Sequence, residues 1–331
     1  MSKIIHWIQK IKSYIVRALG EDPVRPWPLF KHCIGVVVYR FLYGTSISDY
    51  FEMRFFERSR EEKETLFTLY EAMDFINHIN GAENNAEFRN KIYMYQVLGK
   101  FTKREQLILP ADDYPTFEAF LRRHPVVLYK ANAYCGDGVE LWFAASSDIA
   151  KLYEKSMEKP AVLDELVTQH SNLARLNPDS INTVKIFTLM AGGTCHFVAA
   201  EFRMGRRGAF IDNIEKGGIA ANVDMKTGKI IGTAYDFQMN QYTHHPDTGV
   251  RITDFELPNW EDVLRFTEEC ARACPLAYVE WDIAIRENDC VLIEANPNAF
   301  SIGIQLGKLH LRKKQFEALM ELYDQSKSKS Q

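Results

Sequence analysis

Several things are scarce or missing in this sequence, and each absence removes a class of protein. No run of about 18 apolar residues occurs, so no segment reads as a membrane-spanning helix. The N-terminus lacks the continuous apolar stretch and small-residue cleavage site of a signal peptide. Cysteine is sparse: Cys33, Cys135, Cys195, Cys270, Cys274 and Cys290 are scattered, and none forms a CxxC pair. Cys270 and Cys274 lie one helical turn apart, but no second Cys/His pair stands at zinc-ligand spacing, so reduced thiols are expected. There is no basic excess either. A net charge of −4 argues against a nucleic-acid binder and says nothing about small-molecule substrates. No P-loop motif and no internal repeat is present.

What remains is an ordinary folding composition over 331 residues, enough for one large domain or two to three small ones. Residues 3–19 pattern as an amphipathic helix, with Ile4, Ile8, Ile11, Ile15 and Leu19 on one face and Lys3, Lys10, Lys12 and Arg17 as basic flanks. Such a helix either docks on a protein body or lies on an anionic membrane surface. Pro-rich residues 23–28 follow as a linker, giving a first segment of 1–30. Residues 31–115 read as mainly helical. Ser59 and Glu62 form a capping-box signature for a helix reaching His78, and Gly81–Asn85 is a loop before a helix over 90–98.

From Pro125 the period changes from helical to alternating. Strands are expected at 126–131, 139–145, 162–166, 183–191, 195–203 and 209–214, with another strand at 229–233 left open. Gly192-Gly193 is a hairpin turn. Helices are expected near 148–157, 260–273 and 303–323, and strands 278–286 and 290–295 form a hairpin turning at Glu287–Asp289. This sets a third segment of 116–325 and a polar tail of 326–331.

The strongest chemical signal lies in that last hairpin. Side chains two apart on a strand share a face, so Glu294 and Asn296 point together. Asp282 on the partner strand joins them if the register permits. Two carboxylates and an amide oxygen are hard ligands, suited to Mg2+ or Mn2+ with phosphate oxygens completing the shell. Glu294 sits in the apolar run Val291–Ala295, unlike a solvated acid on a surface strand. Two weaker signals precede it. Lys130 ends an apolar strand and is followed by Gly136-Asp137-Gly138, a turn whose backbone N–H groups can close over phosphates. The apolar segment Val162–Val167 carries Asp164 and Glu165 and suits an edge that reads a base.

A lysine strand, a glycine turn, a hinge acid and an Asp…Glu-x-Asn hairpin, in that order, resemble the ATP-grasp superfamily. The eleven residues between Asp282 and Glu294, and Glu294-Ala295-Asn296-Pro297, look like its magnesium motif. Gln169-His170, Asn177-Pro178, Ser180–Lys185, Asp212-Asn213 and Gly217–Ala220 resemble the branch called sugar-transfer-associated or polysaccharide-associated, as does the Gly44–Phe51 segment. The likeness covers about Ile34 to Leu311.

The resemblance implies an α+β fold in which two subdomains sandwich ATP, preceded by a mainly helical N-terminal region. It implies Lys91 and Lys130 as nucleotide lysines, Gly136, Asp137 and Gly138 as the phosphate loop, and Glu165 as the adenine hinge. Asp282, Glu294 and Asn296 would hold magnesium. Lys185 and Arg203 would act on the transferring phosphoryl group. Asp212, Asn213, Gly217, Gly218 and Asn298 would line the substrate pocket.

Two positions depart from the pattern. Asn298 stands where many such ligases carry arginine, and Lys185 stands where relatives often have arginine, losing the bidentate fork. The implied activity is an ATP-dependent ligase joining a carboxylate, activated as an acyl phosphate, to an amine in cell-envelope polysaccharide or peptide-type metabolism. A small-molecule kinase, or a non-catalytic ATP-binding or membrane-scaffold protein, are the alternatives. The implied setting is cytoplasmic, with contact at the inner membrane face through the N-terminal helix left open.

Overall fold

The computed structural model describes residues 2–111, 113–131, 138–144 and 147–328. Seven helices come first: α1 (Ser2–Tyr14), α2 (Pro26–Tyr43), α3 (Ile47–Glu52), α4 (Arg60–Thr65), α5 (Leu69–Asn80), α6 (Ala82–Phe88) and α7 (Lys91–Thr102). The expected Ser59/Glu62 capping box is present, but its helix stops at Thr65. A second box, Thr68 with Glu71, restarts the chain as α5. The expected single helix from Ser59 to His78 is therefore two. Each box satisfies a fresh set of orphan N–H groups, so the direction can change between them.

Two antiparallel sheets follow. The smaller contains β1 (Gln106–Leu109), β2 (Val126–Ala131), β3 (Val139–Phe143) and β4 (Ala161–Glu165), in the order β1-β4-β2-β3. Strand β1 lies inside the segment expected to be mainly helical and completes the sheet edge against β4. Helices α8 (Tyr114–Arg123) and α9 (Ile149–Ser156) belong to this unit. Phe117, Phe120, Leu121, Tyr129 and Trp142 form its core.

The larger sheet contains β5 (Val184–Ala191), β6 (Thr194–Met204), β7 (Ile219–Val223), β8 (Ala234–Tyr235), β9 (Gln241–Tyr242), β10 (Tyr278–Ile285) and β11 (Cys290–Asn296). Its order is β11-β10-β5-β6-β7-β8-β9. Gly192 and Gly193 both take positive φ, which the tight β5–β6 turn needs. The short α10 (Ser171–Ala174) precedes this sheet, and α11 (Trp260–Ala273), α12 (Gly303–Leu306) and α13 (Lys313–Ser328) complete the chain. One face of the sheet buries Ile186, Phe202, Trp281 and Ile283 in a core shared with α7 and α11. The other packs Phe187, Leu189 and Tyr278 against α5 and α13.

Further expectations differ from the fold, and the strand left open at 229–233 does not form. The loop expected at Gly81–Asn85 is mostly helix, α6 beginning at Ala82. Residues 209–214 form no strand: Arg207 and Gly208 take positive φ, and the chain turns into a short 3-10 turn at Ile214–Lys216. Residues 229–233 make only the single bridges Val223 with Ile230 and Lys229 with Glu256. The last helix is interrupted, α12 ending at Leu306 and α13 beginning at Lys313, with His310 at positive φ between them.

The N-terminal helix forms over Ser2–Tyr14 and runs on through Ile15–Leu19 to a left-handed Gly20. Ile11 and Ile15 are fully buried against Val36, Tyr50 and Phe51, so this part of its apolar face is docked on the protein itself. No helix among the described residues is long and apolar enough to cross a membrane.

Candidate active site

A row of polar residues runs across the apolar large sheet. Glu294 on β11 stands directly opposite Asp282 on β10. Asp282 stands opposite Lys185 on β5, Lys185 opposite Glu201 on β6, and Glu201 opposite Asn222 on β7. Directly opposed residues share a face, so these side chains all project from one side. Register answers the question that spacing left open for Asp282.

Glu280, two residues before Asp282, joins the cluster; its strand-alternation signal was present in the sequence and overlooked. It is 4% exposed, pairs with Lys185 and accepts a 3.2 Å hydrogen bond from Asn296 Nδ2. Lys91, at the start of α7 where Asn90 caps the helix, pairs with Glu294. The Lys185 ammonium lies 3.3 Å from Asp282 Oδ1, an oxygen that is buried and accepts no hydrogen bond. With Lys185 as its ion-pair partner, this oxygen lies beside Glu294 and Asn296, a donor set of the hard kind that suits Mg2+. Among the described residues no three His, Cys, Asp or Glu side chains form a self-sufficient metal cage.

Burial lowers the affinity of Lys185 for its proton, and the charge of nearby Arg203 adds to this. For Glu294, burial favours the neutral acid, but Lys91 and Lys130 outweigh it and hold the carboxyl below its usual range.

Two cavities meet here, sharing Leu128, Lys130, Thr183, Ile211, Asp212 and Ile293. One, of about 420 Å3, runs along the β4 end and the backbone of Leu166–Gln169, with apolar walls from Leu128, Leu141, Phe210 and Ile293. The other, of about 440 Å3, holds the charges: Arg89, Lys91, Lys130, Lys185 and Arg203 with Glu280, Asp282 and Glu294. Together they form a cleft with an apolar end and a charged end.

Lys130 stands at the junction. It is buried and pairs with Asp164 at 2.6 Å. Arg104 also pairs with Asp164, at 3.0 Å, and Tyr95 Oη donates to it at 3.1 Å. Burial alone would raise the Asp164 carboxyl; the two cations overcome it and hold the group well below the usual carboxylate range. Glu165, the expected hinge acid, lines the apolar end and accepts from the Glu105 N–H at 2.9 Å. The inward acid of this pair is thus Asp164, and sequence reasoning missed both its role and Arg104.

The remaining expected residues divide. Gly138 is described, at φ +97°, while Gly136 and Asp137 lie outside the described residues. Asp212 and Asn213 line the charged end. Asp212 accepts from Thr183 N and Oγ1 at 2.8 and 2.6 Å, and burial raises its pKa. Gly217 and Gly218 are not in the wall. Gly217 takes φ +101°, and a Cβ on Gly218 would stand 2.6 Å from the Asp212 carbonyl oxygen, so both serve the turn. Asn298 lies in the charged wall, and its Oδ1 accepts from Arg89 Nη2 at 2.7 Å. Folding thus brings an arginine from the α6–α7 junction to position 298, across 209 residues, which no local motif reveals.

Residues 140–318 match the family described as sugar-transfer associated ATP-grasp. The chain belongs to this family. The match includes β4–β11 and leaves Lys91 and Lys130 outside it. Comparison with curated protein sequences finds no match. Among solved structures, this ATP-grasp chain is similar to the ATP-grasp ligase PsnB complexed with minimal precursor, Mg and ADP, at 13% identity and TM-score 0.46, over 74% of this chain and 62% of that one. It is similar to D-alanine–D-alanine ligase from Bacillus anthracis at 12% identity and TM-score 0.44, over 76% and 71%. It is also similar to the macrocyclase MdnC bound with precursor peptide MdnA from Microcystis aeruginosa, at 12% and 0.42, over 75% and 64%. The chain thus spans less than two thirds of the length of PsnB.

A third cavity, of about 460 Å3, adjoins the charged end through Arg203, Glu215 and Phe300, and is closed by the N-terminal helices through Tyr14, Ser48 and Glu52. Burial, then the charge of Glu215, raises Glu52 to about 7, with Arg17 opposing. A carboxyl whose folded pKa is raised binds its proton more tightly in the folded chain. Its stabilisation is complete below the unfolded pKa, near 4, and is lost as pH rises through 7. Thermal denaturation should show Glu52→Gln gaining on the parent as pH rises from about 4 to 8, by on the order of 2 kcal/mol at the upper end.

Proposed function

We propose that this chain is an ATP-dependent carboxylate–amine ligase. The observation that carries this is the two-ended cleft: apolar walls and free backbone at one end suit a base, and a cation-rich end meeting Asp282, Glu294 and Asn296 suits a metal-bound triphosphate. Lys130, held by Asp164, sits between the ends, where it can neutralise the phosphates nearest the nucleoside. Lys91, Lys185 and Arg203 face the phosphoryl group in transfer, where charge must be offset. Asp282, Glu294 and Asn296 would hold Mg2+, whose contribution is to neutralise phosphate oxygens and fix their orientation.

In the first step a substrate carboxylate oxygen attacks the γ-phosphorus. The P–O bond to ADP breaks and an acyl phosphate forms. In the second an amine nitrogen attacks the acyl carbon, phosphate departs with the bonding pair, and the nitrogen loses a proton. Protein groups form no covalent bond; positioning and charge supply the acceleration. Arg89, fixed on Asn298, is the group placed to receive the substrate carboxylate, and the third cavity is the route by which an acceptor reaches Arg203. We place the substrates in cell-envelope polysaccharide or peptide modification; the family description, sugar-transfer associated, supports the sugar side.

Hydroxylamine intercepts acyl phosphates. Incubation of the chain with Mg-ATP, hydroxylamine and a panel of amino acids and uronic acids should give hydroxamate in step with ADP. ADP accompanied by a stable phosphate ester and no hydroxamate would instead mark a kinase.

A further inference from the structure

The α2 helix is apolar on both sides. His32 and Val36 are buried, with Tyr39 and Tyr43 beside them facing the protein. The opposite side carries Trp27, Phe30, Ile34, Val38, Phe41 and Leu42, all exposed, with Phe41 84% and Trp27 72% open. Their spacing of three, four and seven residues places them on one stripe about 22 Å long at 1.5 Å per residue. A helix apolar all round belongs where both faces are covered. Scattered exposed apolar residues are ordinary on a protein surface, but a continuous stripe marks an interaction face.

Charge identifies what covers it. Residues 1–43 contain seven lysines and arginines but only two acids, Glu21 and Asp22, a net +5 in a chain whose total is −4. Lys10, Lys12, Arg25 and Lys31 are exposed. A second copy of this chain meeting α2 about a two-fold axis would set one +5 segment against another. An anionic lipid surface complements both features: apolar side chains enter the acyl boundary while lysine and arginine stems carry their charges to the headgroups. Trp27 and Phe30, with ring centroids 5.9 Å apart, form an aromatic anchor of the kind favoured at that depth.

We infer that α2 is a monotopic membrane anchor that seats this ATP-grasp chain on an anionic bilayer, and that α1 braces it from behind. The anchor is therefore not the helix whose sequence pattern suggested one: Ile11 of α1 is spent on the protein core, and the large apolar residues it leaves exposed are Ile4 and Ile5.

The full chain should co-sediment with vesicles made of equal parts phosphatidylserine and phosphatidylcholine, bind pure phosphatidylcholine weakly, and be released as salt rises. The exposed triple variant Trp27→Ser, Phe41→Ser, Leu42→Ser should lose partitioning by at least roughly tenfold while its circular dichroism and melting temperature stay those of the parent. Absence of binding by the parent, or equal binding by the variant, overturns the inference. So does a parent that is dimeric in solution and becomes monomeric in the variant, since a second copy would then be the occupant.

Discussion

Replacing Glu294 with glutamine removes ATP turnover, by on the order of a thousandfold or more, and leaves the fold in place. The substitution keeps size and shape and deletes one charge. That charge stands opposite Asp282 in the sheet register and pairs with Lys91. With glutamine there, Asp282 is the one carboxylate of the expected ligand set that remains, and Lys91 loses its anion. The sheet itself does not depend on this group, because Ile283, Leu292 and Ala295 supply the packing on its other face. Circular dichroism should be unchanged and the melting temperature should move by a few degrees at most, while ADP release in a coupled assay falls to background. Turnover within tenfold of the parent would falsify the metal assignment.

The largest stability effect is expected at Asp164. Its replacement by alanine should cost about 3–5 kcal/mol, because it strands two buried cations at once. The carboxylate is 1% exposed, and Lys130 and Arg104 lie 2.6 and 3.0 Å away. Both cations are buried side chains at the edge of the cleft, with side-chain exposures of 8% and 3%. A fall in the urea midpoint should report the loss; a change below about 1 kcal/mol would show that the cations find other partners.

Acid should act on the parent in the same direction. The Asp164 carboxyl is held below its ordinary range, so its stabilisation is present above the unfolded value near 4 and is lost as pH falls below it. Alanine at this position removes that dependence along with the stability. Because Lys130 is positioned by Asp164, nucleotide affinity should weaken in the same variant.

These two residues also show how far the sequence could be read. Glu294 was visible because a strand repeats every two residues, and an acid two before an asparagine inside an apolar run is unusual. The same rule, applied to the neighbouring strand, would have found Glu280 beside Asp282. Asp164 and Glu165 could not be ranked that way. Adjacent strand residues face opposite sides, and the sequence does not say which side meets the cleft. Pairing of β4 with β2 and the arrival of Arg104 from the end of α7 made Asp164 the inward acid. Arg89 beside Asn298 was illegible for a related reason: each is unremarkable locally, and only folding brings residues 209 positions apart to 2.7 Å.

The N-terminal helices carry the same contrast. Periodicity placed an amphipathic helix at α1 and left open whether it met lipid or protein. The fold buries Ile11 and Ile15 and exposes the stripe on α2 instead. By itself, then, the sequence determined what is local: the helix starts with their capping boxes, the alternating strands, the Gly192-Gly193 turn and the oxygen-ligand pattern of the last hairpin. Each depends on neighbours within a few residues and on a fixed geometric period. Tertiary structure decided strand register, which acid is buried between two cations, which arginine meets Asn298 and which apolar face stays uncovered. Those outcomes depend on distant segments competing to bury the same surfaces, a balance that no short window of sequence contains.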